Sequence, residues 1–176
     1  MQNEYDGHWI TTFTGKKLHY LNPAPDEIGI EDIAHALALT CRFGGHCQEF
    51  YSVAEHSFRV AMIVDKEDKL AALLHDAHEA YLHDVPRPIK FDMPKYQEIA
   101  DKVQVKIYKV FNTYIHYPGY LKFADNTLLA TEARDIMATM QDWKNLPLPL
   151  TLRIWPLNWQ LAERIFLDFY SEYKGK

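Results

Sequence analysis

A chain of 176 residues with 48% hydrophobic and 14% aromatic residues carries the apolar material of one ordinary domain core, which excludes a disordered segment. Its net charge of -5 excludes the strongly basic balance of a nucleic-acid scaffold, while a small anionic substrate held by a cation stays open. No apolar run approaches the roughly 18 residues of a bilayer span, the polar start Met1 to His8 lacks the order of a secretion signal, and two cysteines are too few for a disulfide framework, so a cytoplasmic protein is expected.

In chain order, Trp9 to Tyr20 sets β-branched and aromatic residues on either side of Thr14-Gly15-Lys16, which predicts a small hairpin. The Pro-rich loop Asn22 to Asp26 follows, then a predicted helix from about Glu31 to Thr40 in which His35 reads as a core histidine with a local hydrogen bond. Cys41 and Cys47 read as buried bystanders around a loop whose paired glycines, Gly44 and Gly45, serve poorly inside a helix. Ser52 and Glu55 have the spacing of a capping box opening the next helix, with Val53, Phe58, Val60, Ala61 and Val64 as its apolar face.

Asp65 and Asp68 suit the start of a further helix through Leu70, which ends near Asp84 because Pro86 and Pro88 cannot continue it. Three more helices are predicted, from about Pro94 to Asn112, Gly119 to Thr139 and Asn158 to Tyr173. The last carries Trp159, Phe166, Phe169 and Tyr170, a core or oligomer-facing stripe. The expected fold is a single all-α bundle over 1–176 with one small β element.

The chemistry concentrates after Leu70, Leu73 and Leu74. His75, Asp76, His78, Glu79, His83 and Asp84 place six titratable groups directly behind an apolar run, where unpartnered burial is costly. On a continuous helix Glu79 lies one turn beyond His75 and Asp76, so the three address one pocket. Imidazole and carboxylate side by side suit a divalent metal. His56 and Asp125, each at an apolar approach, would complete a four-ligand N/O set, although such a residue alone is more often a satisfied core or surface residue than a ligand.

The blocks Arg42-Phe43-Gly44-Gly45-His46, Phe50 to Ser57, Leu74 to Glu79, Asp84 to Lys90 and Ala124-Asp125-Asn126 resemble the HD phosphohydrolase superfamily, over roughly Trp9 to Ile136. Within it they look most like bacterial 5′-deoxynucleotidases and the phage-encoded HD phosphohydrolases, which include dATP triphosphohydrolases. The resemblance implies an HD-domain helical bundle and a divalent cation (zinc, cobalt, manganese, iron or magnesium) held by His56, His75, Asp76 and Asp125. It implies that Glu79 orients or deprotonates the attacking water, that Asp84 assists, and that Arg42 meets phosphate through its planar fork.

Phe43 stands where the deoxynucleotidases carry a tryptophan beside the sugar, a departure that bears on selectivity. His46 reads as a substrate group or a cap of the glycine loop, and Lys90 as a phosphate group or a solvated lysine. His78 and His83 read as supporting or surface groups. The implied reaction is hydrolysis of dATP to deoxyadenosine and triphosphate; a monophosphate-specific 5′-deoxynucleotidase and a catalytically silent nucleotide-binding module are the alternatives. A homo-oligomer is implied, in host cytoplasm if the chain is phage-encoded, with no nucleic-acid polymer and no membrane as partner.

Overall fold

β1 (Ile10–Thr11) and β2 (Lys17–Leu18) pair antiparallel in the computed structural model, with Ile10 opposite Leu18. The structure describes residues 7–139, 143 and 145–175, and most of the polar start Met1 to His8 lies outside the described residues. The hairpin loop is closed by Gly15 N–H on the Thr12 carbonyl at 3.0 Å, with Gly15 at φ +83, where a side chain would be strained. Asp32 pins its tip, accepting from the Thr14 N–H at 2.7 Å and the Thr14 hydroxyl at 3.0 Å.

Eight α-helices follow among the described residues: α1 (Ile30–Leu39), α2 (Val53–Ile63), α3 (Lys69–Leu73), α4 (Glu79–Leu82), α5 (Arg87–Phe91), α6 (Pro94–Val110), α7 (Pro118–Ile136) and α8 (Trp159–Tyr173). The predicted helical character holds, and the predicted boundaries of α1, α6, α7 and α8 fall within a few residues of these. None of the helices is long and apolar enough to cross a membrane.

α2 begins with one half of the predicted capping box. Ser52 Oγ accepts from the Glu55 N–H at 3.0 Å, but Glu55 does not reach back. Its buried carboxylate takes two bonds from Arg59, one turn on, and one from the Leu157 N–H at 2.8 Å, tying α2 to the approach of α8. The apolar face is buried as expected from Val53 to Val64. α8 packs on α1, α2 and α3, with Phe166 fully buried and Trp159, Phe169 and Tyr170 against the core, so its stripe is core packing. His35 bonds Glu163 of α8 at 3.2 Å, a partner distant in sequence where a local one was expected.

The predicted single helix from Leu70 to Asp84 is instead two short helices separated by a turn, and the cause is competition for its backbone groups. The Gln104 side chain from α6 donates to the Leu74 carbonyl at 2.7 Å and accepts from the His78 N–H at 3.1 Å. His75 Nδ1 takes the Ala72 carbonyl at 2.7 Å. The backbone between closes three-residue turns, Ala77 N–H on the Leu74 carbonyl that Gln104 also bonds, and Glu79 N–H on Asp76. α5 was not anticipated: Pro86 precedes it and Pro88 lies in its first turn, where a missing N–H removes no helical bond.

Asp68 stands at the start of α3, as expected, and has a further role. Its side chain makes no cap to the helix it precedes. Fully buried, it accepts from the N–H groups of His116 and Tyr117 at 2.7 and 2.9 Å and from His116 Nδ1 at 3.0 Å, holding the loop between α6 and α7.

Candidate metal centre and its pocket

Three separate elements bring the site together. His56 stands in α2, His75 and Asp76 on the turn after α3, and Asp125 in α7. One ligand atom each from His56, His75 and Asp125 lie within 4.8 Å of one another, a group that could hold a metal ion. Asp125 Oδ1 is 3.4 Å from His56 Nε2. Asp76 borders both rings, its Oδ2 3.1 Å from His75 Nε2 and 3.7 Å from His56 Nε2. The compact group is thus three residues, with Asp76 alongside.

Both Nε2 atoms are buried and have no hydrogen-bond partner. Buried polar atoms in proteins are nearly always satisfied, so two orphans beside two carboxylates call for an explanation. A cation placed between them would supply it, and each ring is already turned by a bond behind it. His56 Nδ1 lies 2.6 Å from Glu132 Oε1, and His75 Nδ1 lies 2.7 Å from the Ala72 carbonyl. Both partners are acceptors, so each Nδ1 donates to the group behind it and each Nε2 is turned toward the carboxylates, the orientation of metal-ligating histidines.

The charges agree. Burial and Arg42 oppose protonation of His56, yet Glu132 and Asp125 raise its pKa to about 9. Burial opposes ionisation of Asp76 and Asp125, but the two histidines hold both carboxyls well below the usual carboxylate range. Without a metal the cluster retains a proton where a divalent ion could sit.

A cavity of about 850 Å³ opens beside this group, and His75, Asp76, Glu79, Asp84 and Asp125 all line it. The broken helix therefore still delivers His75, Asp76 and Glu79 to one pocket. Glu79 is nearly fully buried; burial, then Asp76 and Asp84, push its carboxyl up to about 8 against the pull of Lys90, whose Nζ donates to Oε1 at 2.8 Å. Glu79 Oε2 has no partner. Asp84 follows His83, a non-glycine residue at φ 67 and ψ 156, a conformation held by Tyr96 donating to the His83 carbonyl at 2.7 Å.

The substrate residues expected from the sequence also reach the cavity: Arg42, Phe43, His46 and Lys90 line it. Arg42 is not open along its whole fork, since it donates to Glu132 Oε2 at 3.0 Å while its Nε is unpartnered. Burial opposes its charge, but Glu132, Asp84 and Asp76 hold the guanidinium above its ordinary value. Phe43 stands at φ 57 on the glycine loop, 6.1 Å from the Trp143 ring. His78 is a supporting group, its Nδ1 on Gln104 at 3.1 Å, and His83 is exposed.

Four participants were not singled out from the sequence. Glu132 stands seven residues after Asp125, two turns along the same helix face, inside the apolar run Leu128 to Ala133; that spacing was the available signal. Lys122 and Arg87 lie 3.1 and 3.6 Å from Asp125 Oδ2 and look like ordinary surface charges in the sequence. Trp143 reaches the cavity from a connection with no periodic pattern.

Fold and site together define a mainly helical protein with a buried histidine and carboxylate group suited to a divalent cation. No family model matches the chain. YfdR of Escherichia coli strain K12 is 40% identical over 128 residues, 73% of this chain and 72% of YfdR, and RCAP_rcc00048 of Rhodobacter capsulatus is 35% identical over 136 residues, 72% and 69% of the two chains. The chain belongs to the family of these proteins. Both relatives are designated uncharacterized proteins, so the relationship carries over no activity.

Proposed function

We propose that this protein is a metal-dependent phosphohydrolase of the HD type whose substrate is a deoxynucleotide, with dATP cleaved to deoxyadenosine and triphosphate. The observation that carries the reading is the pair of buried, unpartnered Nε2 atoms of His56 and His75 beside Asp76 and Asp125, at the wall of a cavity that also holds cationic side chains.

His56, His75, Asp76 and Asp125 would hold the cation. When bound, it acidifies a water and polarises a phosphoryl oxygen. Glu79 has the position of an acid/base group: in the metal-free site its carboxyl is raised to about 8, and Lys90 fixes one oxygen while Oε2 faces no partner. Asp84 lies on the same wall and assists proton movement. Arg42, Arg87 and Lys122 offset charge on the phosphoryl groups, while Leu121, Leu129, Leu146 and Trp143 form an apolar wall for the nucleoside. Attack of water on the α-phosphorus breaks its bond to the 5′ oxygen, which leaves with a proton as the nucleoside alcohol.

One observation favours the monophosphate alternative. Arg42 and Lys90, less exposed than Arg87 and Lys122, are already engaged by Glu132 and Glu79, which leaves fewer charges for a long polyphosphate. Incubating Mn²⁺-, Co²⁺- or Zn²⁺-loaded protein with dATP and with dAMP separates the readings: release of inorganic triphosphate from dATP is the expected result. Turnover of dAMP alone would replace the first reading by the second, and binding without turnover would replace both by a silent nucleotide-binding module. The reading includes a cytoplasmic homo-oligomer, for which sedimentation of the purified protein tests the assembly.

A further inference from the structure

Glu132 lies outside the compact ligand group and does not line the cavity, yet it touches a residue of each. Its side chain is fully buried on α7. Oε1 is 2.6 Å from Nδ1 of the candidate ligand His56, and Oε2 accepts from Arg42 at 3.0 Å. Arg42 opens the glycine loop, lines the cavity and has a buried Nε without a partner. A continuous hydrogen-bonded path therefore runs from the cavity wall through Arg42 and Glu132 to the ring whose Nε2 faces the cation position.

We propose that Glu132 is a positioning residue that couples cation binding at His56 to anion binding at Arg42, each strengthening the other. The proposal rests on the metal-centre reading above. Its physical basis is one negative charge shared by two donors in a site that excludes water. An anion that draws on the charge of Arg42 leaves more of the Glu132 charge to His56. A more strongly accepting Oε1 makes Nε2 a better electron donor to a metal, the known effect of a carboxylate behind a histidine ligand. In the other direction, a cation on Nε2 strengthens the Nδ1–H donor, fixes Glu132, and so fixes the guanidinium beside the cavity. By linkage the two effects are one coupling read from either end.

A plainer role is a counter-ion that only keeps Arg42 buried. Calorimetric titration of Mn²⁺ into the wild type, Glu132→Gln and the double variant Arg42→Gln/Glu132→Gln, each with and without saturating inorganic phosphate, distinguishes them. The double variant removes both charges, so a fold lost through an unpaired Arg42 is retained there. The expected result is Mn²⁺ binding about 10–100-fold weaker in the variants. Phosphate should tighten Mn²⁺ binding about 5-fold or more in the wild type and clearly less in the variants. Equal Mn²⁺ affinity and an equal phosphate factor in all three proteins would overturn the proposal and leave the metal centre standing. A wild type that binds no Mn²⁺ would remove both.

Discussion

Two carboxylate clusters in this molecule, one enclosed and one on a cavity wall, obey opposite rules. At Asp68 the carboxylate is enclosed, and both oxygens are used by the backbone of His116 and Tyr117 and by the His116 ring. At the candidate metal centre, Asp76 and Asp125 face two buried imidazole nitrogens that make no hydrogen bond. The first cluster is complete as a piece of protein. On the proposed reading the second becomes complete only with a cation added, and that difference separates a structural knot from a candidate binding site better than the number of acidic residues does.

The comparison breaks most decisively at Asp76. Asp76→Ala should lower turnover by about 10²–10³-fold or more while the circular dichroism of the bundle is retained; full activity in a folded variant would remove the site assignment. Next in size is the response to pH. His56 moves from an ordinary value of 6.5 to about 9 in the folded, metal-free chain, so its contribution to stability is present below 6.5 and is lost as pH rises through about 9. Glu79, raised from 4.5 to about 8, works in the same direction over the lower part of that range. Metal-free protein should therefore lose thermal stability between pH 6.5 and 9. Cation affinity should rise over the same range as the His56 proton ceases to compete, and an affinity flat from pH 6.5 to 9 would contradict the buried proton.

Asp68 sharpens the contrast from the other side. Asp68→Ala leaves two loop N–H groups without their acceptor and should cost about 1–3 kcal/mol in denaturant unfolding, with Mn²⁺ affinity unchanged. A large loss of affinity would show that the two clusters are not separate devices. The smallest effect is expected at His83, where glycine tolerates the observed backbone angles. His83→Gly should stabilise the fold by about 1 kcal/mol, seen as a rise in melting temperature.

Much of this was readable in the chain because the signals were local. Periodic apolar residues gave most of the helices, Ser52 marked the start of α2, and the apolar approach to His75-Asp76 pointed to the pocket. Other features depend on partners far away in sequence. Nothing around Leu74 announces that Gln104 will split its helix, Glu55 looks like half of a capping box until Leu157 arrives, and Asp68 acquires its role only when His116 and Tyr117 pack on it. Glu132 was the nearest miss: its spacing from Asp125 was visible, but a lone glutamate on a helix gives no sign of being buried.

The Gln104 amide has a consequence for how the centre comes into being. The corner bearing His75 and Asp76 relies for two of its backbone bonds on a side chain 26 and 30 residues further along. The corner cannot be completed from local sequence alone, so, on the proposed reading, cation binding and the docking of α6 report on the same event. Any excursion that lifts this helix away should release the ion well before the hydrophobic interior comes apart, making metal retention an early witness of partial unfolding.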